Sequence, residues 1–236
     1  DIVSDSSGTD SVLANITGFT LANDAEWLIL GNGIASGIGN ASANTLLGNS
    51  IANTLSGAAG ADSLDGGDGA DSLDGGADND TLLGGLGNDT LNGGVGNDSL
   101  LGGDGNDYYI IDSTSDVVSD TAGTDSLLAQ FTDYTLGSGL EWLILDGTVA
   151  KGTGNASDNT LLGNASDNTL DGGAGNDSLA GGAGNDFYIV DSTSDVVSES
   201  AASGTDSVLT SVTGVTLTSN VEWLILDGTT AAGTGN

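Results

Sequence analysis

The sequence predicts an all-β solenoid of parallel strands in which two nine-residue repeats make one coil. The first observation is a repeat of the form G-G-x-G-N-D-x-L-x that runs without interruption and then recurs in a second register. The second is a Leu at the eighth position of the repeat, and the third is the abundance of Gly, 41 of 236 residues. Short repeats in a fixed register are typical of solenoids, where each coil contacts only its neighbours. The repeats begin at Gly39, Gly48, Gly57, Gly66, Gly75, Gly84, Gly93 and Gly102, and again at Gly154, Gly163, Gly172 and Gly181.

The spacing within one repeat predicts the local structure. Side chains alternate between the two faces of a strand, so the Asp at position six and the Leu at position eight point to the same, inner side. Gly at positions one, two and four permits the positive φ of a tight turn. A strand and a turn make half a coil, and two repeats therefore make one coil of 18 residues. The expected inner ladder consists of Leu64, Leu73, Leu82, Leu91 and Leu100.

A longer segment separates the nonapeptide runs. Residues 1–40 recur as 116–155 and, two residues longer, as 195–236. Because the nonapeptide frame persists into these segments, we expect one continuous solenoid over 1–236. Because the chain begins and ends within the longer repeat, we also expect it to be a segment of a longer protein. The expected divisions are spacers at 1–38, 116–153 and 195–236 and nonapeptide runs at 39–115 and 154–194.

The spacers contain the strand-like segment E-W-L-I-L in each of their three copies. We interpret this part as coils with a bulkier core and without the Asp signal. Trp27, Trp142 and Trp223 are expected to pack in that core or between coils.

The charge of the chain requires a cationic partner. There are 34 acidic residues against one basic residue, Lys151, and the formal net charge is −33. Such self-repulsion would destabilise a compact fold, whereas the 37% hydrophobic content and periodic Leu argue against disorder. We therefore expect divalent cations. Nucleic acid is excluded as a partner because it is itself anionic, and membrane insertion is not expected because no long apolar run is present.

The Asp at position six predicts the cation and its ligands. Equivalent Asp residues lie 18 residues, or one coil, apart, which places them about 4.8 Å from each other. Carboxylates at this distance repel unless a cation lies between them, and calcium accepts mixed carboxylate and carbonyl oxygens, whereas zinc prefers His or Cys. The predicted calcium ligands are Asp62, Asp71, Asp80, Asp89, Asp98, Asp107, Asp116, Asp177, Asp186 and Asp195. Asp107–Asp125 is an additional candidate pair.

Four repeats carry Asn at position six instead of Asp. Asn cannot supply the negative charge that a calcium site needs, so we expect hydrogen-bonded Asn ladders without metal. The residues concerned are Asn44, Asn53, Asn159 and Asn168.

The nonapeptides resemble those of the RTX family of bacterial proteins. The units GLGNDTLN (85–92), GVGNDSLL (94–101) and GDGNDYYI (103–110) carry the resemblance, and the spacers are similar to those of large repetitive RTX proteins. The resemblance implies a right-handed parallel β-roll in which position-six Asp and turn carbonyls bind several calcium ions. It also implies export by a type I secretion system and folding in calcium-rich medium outside the cell.

These expectations define a function and two alternatives. We expect a non-catalytic, calcium-binding structural segment of a secreted bacterial surface protein: an adhesin, a surface layer or an extracellular fibre, with copies stacked end to end or side by side. The absence of His and Cys from the sequence disfavours most nucleophilic triads and zinc catalysis, so no enzymatic activity is expected. The alternatives are the secretion and folding module of a secreted enzyme and, from the Thr and Asn of G-T-G-N, an ice-binding solenoid.

Overall fold

A computed structural model describes residues 8–201, 203–228 and 232–236 of the chain. Parts of the first and third spacers, residues 1–7, 202 and 229–231, lie outside the described residues. The described residues form 24 short β-strands, all paired in parallel, and contain no helix. Consequently no described helix is long and apolar enough to cross a membrane. The fold is the predicted all-β solenoid.

The strands fall into two compact units that divide between Asp125 and Ser126. In the first unit the odd-numbered strands form one parallel sheet and the even-numbered strands another, so each coil gives one strand to each sheet. The strands are β1 Ser11–Ala14, β2 Phe19–Thr20, β3 Trp27–Leu30, β4 Ser36–Ile38, β5 Thr45–Asn49, β6 Thr54–Ala59, β7 Ser63–Asp68, β8 Ser72–Ala77, β9 Thr81–Leu86, β10 Thr90–Val95, β11 Ser99–Asp104, β12 Tyr108–Ile111 and β13 Val117–Ser119.

The second unit repeats this arrangement. Strands β14, β16, β18, β20 and β22 pair in one sheet, and β15, β17, β19, β21, β23 and β24 pair in another. Their bounds are β14 Ser126–Ala129, β15 Tyr134–Thr135, β16 Trp142–Leu145, β17 Lys151–Thr153, β18 Thr160–Leu162, β19 Thr169–Asp171, β20 Ser178–Ala180, β21 Phe187–Val190, β22 Val196–Val197, β23 Ser207–Thr210 and β24 Trp223–Leu226. The continuity of one solenoid through both units stays a prediction.

The strand register confirms the coil of 18 residues. Leu46 pairs with Leu64, Leu64 with Leu82 and Leu82 with Leu100 in one sheet, each one coil further along the chain. These Leu side chains are at most 1% exposed. The core is therefore an inner Leu column, as predicted, and complete burial of each such side chain contributes about 1.5–3 kcal/mol of transfer free energy.

The spacer Trp residues lie on the outer face, so the expectation that they pack in the core is wrong, and packing between coils stays a prediction. In β3 the buried side chain is Leu28, at 0% exposure, whereas its neighbour Trp27 is 36% exposed. In β16 the corresponding values are 0% for Leu143 and 37% for Trp142, and Trp223 of β24 is 61% exposed. Leu28 pairs with Leu46, so the spacers continue the Leu column. Alternation along the strand then places each Trp outside.

Candidate metal centre

The position-six Asp residues line the interior of the first unit in two stacks, one beside each sheet, which together form the Asp column. Each lies directly before a strand and two residues before a buried side chain, Tyr109 after Asp107 and Leu after the others, so strand alternation turns its carboxylate inward. Their exposures range from 1% to 3%. The members of the Asp column are Asp62, Asp80 and Asp98 in one stack and Asp71, Asp89 and Asp107 in the other.

One carboxylate oxygen of each Asp joins two coils. The Asp80 Oδ1 atom accepts a hydrogen bond from the backbone N–H of Asp62 at 2.8 Å, and Asp98 Oδ1 accepts one from Asp80 in the same way. The pairs Asp71–Asp89 and Asp89–Asp107 repeat the contact at 2.7 Å. The structure therefore stacks the predicted Asp pairs one coil apart, with their carboxylates aligned.

The second oxygen of each carboxylate is buried without a hydrogen-bond partner among the described residues. Buried polar oxygens almost always have a partner, because desolvating one without compensation costs free energy. A buried Oδ2 atom without a partner recurs along the whole column, which indicates a common ligand rather than separate packing defects. The atoms concerned are Oδ2 of Asp62, Asp71, Asp80, Asp89, Asp98, Asp107, Asp177 and Asp186.

The first Gly of each repeat makes room for these oxygens. A Cβ added at Gly84 would lie 2.7 Å from the carbonyl oxygen of Gly102 and 2.9 Å from Asp89 Cβ, and would also meet Asp89 Oδ2. A Cβ at Gly66 would meet Asp71 Oδ2 in the same manner. Carboxylate and carbonyl oxygens thus converge where no side chain fits, and this all-oxygen donor set suits calcium.

Burial makes the Asp column hard to ionise without a cation. Loss of hydration raises the pKa of Asp62 and of Asp107 to about 6, and it raises the pKa of Asp80 to about 7 with the nearby Asp62 and Asp98 carboxylates adding to the effect. Backbone N–H donors oppose the rise but do not cancel it. A bound divalent cation would favour the ionised form.

The comparison with known families decides the identity of the repeats. The family model for the RTX calcium-binding nonapeptide repeat (4 copies) matches residues 38–73, 47–82, 74–109, 83–118 and 153–188. The chain belongs to the RTX nonapeptide-repeat family. No curated protein matches the chain at a significant level. RTX repeats bind calcium, and the Asp column provides the oxygen atoms that this ion requires.

The second unit contains two shorter RTX stacks, one beside each sheet. Asp177 and Asp186 are each 1% exposed, and burial raises the pKa of both carboxyls to about 6. Asp177 donates its N–H to Asp195 Oδ1 at 2.9 Å. Asp186 donates to Asp206 Oδ1 at 2.8 Å, across 20 residues instead of 18, because the third spacer is two residues longer.

Two predicted ligands, Asp116 and Asp195, follow the last repeat of a run and differ from the others in the hydrogen bonds of their Oδ2 atoms. The Oδ2 atom of Asp116 accepts hydrogen bonds from the N–H groups of Asp112 and Ser113 at 3.2 and 3.1 Å. Asp195 Oδ2 accepts equivalent bonds from Asp191 and Ser192. The structure therefore places Asp116 and Asp195 in line with the RTX columns, but with both carboxylate oxygens already hydrogen-bonded.

In the Asn repeats, the side-chain amides form hydrogen bonds with backbone groups of the turns. The expectation of Asn ladders is therefore wrong. Asn49 donates from Nδ2 to the carbonyl oxygens of Gly31 at 3.0 Å and Ile34 at 2.8 Å, and Asn53 Nδ2 also bonds Ile34. Asn53 Oδ1 accepts the N–H of Asn49 at 2.7 Å. The partners are main-chain groups because the coil above carries Asp71, not a further Asn. The turns at Asn44, Asn159 and Asn168 repeat this pattern.

The spacers contribute acidic residues that the nonapeptide pattern does not reveal. The carboxylate oxygens of Asp107, Asp120 and Asp125 lie within 4.8 Å of one another, and those of Asp186, Glu199 and Asp206 do the same. Only Asp107 and Asp186 belong to the predicted ligands, and Asp125 to the additional candidate pair. The missed signal is the alignment of D-V-V-S-D (116–120) with D-V-V-S-E (195–199), which repeats an acid at the same spacer position.

Proposed function

We propose that this RTX chain is a non-catalytic, calcium-dependent structural segment of a secreted bacterial surface protein such as an adhesin, a surface layer or an extracellular fibre. The single observation that carries the calcium dependence is the column of buried carboxylate oxygens without partners in the described part of the chain. The ion supplies the positive charge that these oxygens need. The Asp residues hold one another one coil apart through their Oδ1 atoms, so a bound ion stiffens successive coils together.

Folding and calcium binding are coupled in this proposal. The donors come from different coils and converge only when the coils stack, so calcium binds the folded state and stabilises it by linkage. A net charge of −33 opposes folding in a medium poor in calcium, such as the cytosol, and would keep the chain unfolded for export. Outside the cell, abundant calcium would then complete the fold.

The central experiment is a calcium titration followed by circular dichroism. Protein treated with chelator is expected to lack most β signal and to gain it cooperatively as calcium is added. Magnesium at the same concentrations is the matched control, because its strict octahedral geometry suits these carbonyl-rich sites poorly. A full β spectrum in excess chelator would refute calcium-driven folding.

The structural role is favoured by the composition and the repetition of the chain. The sequence has no His or Cys for the commonest catalytic devices, and each spacer copy repeats the same module. Antibody labelling of intact cells that produce the protein is expected to place it at the surface. Recovery of the chain only as part of a released enzyme would favour the secretion module instead.

We propose that copies of the chain associate in calcium, end to end or side by side. Sedimentation in calcium and in chelator measures this association, and a monomer in calcium at every protein concentration would contradict it.

A further inference from the structure

Each nonapeptide run ends in a cluster of three acidic side chains. In the first unit the cluster comprises Asp107 of the last full repeat and Asp120 and Asp125 of the following spacer. Asp107 and Asp125 are 2% and 1% exposed, and Asp120 is 8% exposed. Three carboxylates with oxygens within 4.8 Å repel one another strongly when they are shielded from water.

A buried tyrosine holds the middle acid of the cluster in place. Tyr109, two residues after Asp107, is 0% exposed and donates its hydroxyl to Asp120 Oδ2. The other oxygen of Asp120 accepts the N–H groups of Thr121 at 2.5 Å and Ala122 at 3.0 Å. Asp120 is therefore fixed by three donors, so its position does not depend on the flexibility usual for an acidic side chain in a loop.

A partnerless oxygen points into this cluster. Asp107 Oδ2 is buried and has no hydrogen-bond partner within the described residues. A Cβ placed on Gly102 would meet Asp107 Oδ2 and the Tyr109 hydroxyl and would lie 2.7 Å from Asp120 Oδ2. Three oxygens from three side chains therefore face one small space, which stays open because residue 102 has no side chain.

The second unit builds the same arrangement with a different acid. Asp186, Glu199 and Asp206 form the cluster, and the fully buried Tyr188 donates its hydroxyl to Glu199 Oε1. Asp186 Oδ2 is again buried without a partner among the residues described. The Ser203 hydroxyl donates to Glu199 Oε2 at 2.7 Å. The longer Glu side chain occurs where the spacer is longer, and the cluster is retained.

We infer that each run is closed by a terminal calcium site formed by these three acids, in addition to the sites between stacked repeats. The donors are all oxygen atoms, which excludes a preference for zinc, and their irregular arrangement suits calcium better than magnesium. Three negative charges in one site raise calcium affinity. The terminal site therefore fills at lower calcium than the repeated sites and fixes the end of the run from which coils stack. This inference needs calcium binding but not a surface role.

The test removes one acid that lies outside the Asp column. Wild type, Asp120→Asn, Glu199→Gln and the double variant are stripped with chelator, dialysed at one fixed free calcium concentration, and their bound calcium is counted by mass spectrometry. Circular dichroism on the same samples establishes folding. The expected count falls by one ion in each single variant and by two in the double variant. Asp24→Asn, which removes an exposed acid, is the matched control and keeps the full count.

Two outcomes separate this site from a purely structural contact. A folded Asp120→Asn protein with the full calcium count would overturn the inference and leave only a tyrosine–carboxylate hydrogen bond. Should Asp120→Asn fail to fold, Tyr109→Phe decides the question with terbium in place of calcium. The variant is expected to lose the part of the tyrosine-sensitised terbium emission that comes from Tyr109 and to keep the part from Tyr188 at the second cluster, and unchanged emission would contradict the terminal site. Failure of calcium-driven folding in the wild type is seen separately, by circular dichroism alone.

Discussion

Replacing Asp89 by Asn should have opposite effects with and without calcium. Asp89 lies in the middle of the Asp column, and its Oδ1 accepts the N–H of Asp71 while its own N–H donates to Asp107 Oδ1, both at 2.7 Å. Asn has the same shape and keeps an Oδ1 acceptor for Asp71. The substitution therefore removes the charge and little else, which makes it a direct test of what the charge does.

The magnitude follows from the spacing of the coils. Two unit charges about 4.8 Å apart repel by about 3.5 kcal/mol at an effective dielectric constant near 20, before screening by salt. Asp89 has such neighbours in Asp71 and Asp107, so without calcium Asp89→Asn should stabilise the fold by about 1–3 kcal/mol after screening. With calcium, the variant loses one bound ion. If the free calcium concentration is a hundred times the dissociation constant of that site, the loss should destabilise the fold by about 2.7 kcal/mol.

Two unfolding measurements check these signs. In calcium, urea denaturation is expected to give a lower free energy of unfolding for Asp89→Asn than for the wild type. In chelator, where folding is driven by trimethylamine N-oxide, the variant is expected to fold at a lower osmolyte concentration. Asp74→Asn, an exposed acid of the same run, is the control and should change little in either condition. Destabilisation of equal size in both conditions would refute the electrostatic reasoning.

Three further outcomes are expected. Because burial raises the pKa of Asp80 to about 7 and of Asp62 to about 6, the calcium-free fold binds more protons than the unfolded chain. It should therefore gain stability as the pH falls from about 7 to about 4, and circular dichroism in chelator should show β structure increasing with acid. Gly84→Ala places a Cβ 2.7 Å from the Gly102 carbonyl and should cost about 1–3 kcal/mol in urea unfolding. Gly228→Ala, in open space, should cost little. Asn49→Ala removes two side-chain hydrogen bonds to part-buried carbonyls, those of Gly31 and Ile34, and should lower stability by about 1–3 kcal/mol in calcium and in chelator alike. A loss of stability seen in calcium but not in chelator would contradict the role of the Asn49 amide as a hydrogen-bond donor to the turn.

The repeat made most of the fold predictable because each of its positions has one physical task. The side chain at position eight must fill the interior, and strand alternation then turns the side chain at position six inward as well. The Leu and Asp columns could therefore be predicted from spacing alone. Of the two expectations for the Trp residues, packing in the core is wrong, because the W-L-I-L segment does not by itself show which of its two faces is buried. The register is set instead by Leu28, which continues the Leu column and leaves Trp27 on the opposite face.

The terminal clusters were not predictable from the nonapeptide spacing. Asp120 lies 13 residues after Asp107 in the sequence, which is neither one repeat nor one coil. It is held in the interior because the fully buried Tyr109 donates its hydroxyl to the Asp120 carboxylate. Such a pairing depends on one Tyr in place of Leu at position eight, and the spacing of the repeat does not report it.

The Asn and Asp repeats solve the same problem in two ways. Each turn directs carbonyl oxygens towards its neighbours, and these oxygens require either donors or a cation. In the Asn turns, amide groups such as Asn49 Nδ2 bond two carbonyls at once and leave no charge to neutralise. In the Asp turns, the carboxylates add negative charge that only a cation offsets. We therefore expect calcium dependence to be a property of particular coils, and to change with a single substitution at position six while the backbone register stays the same.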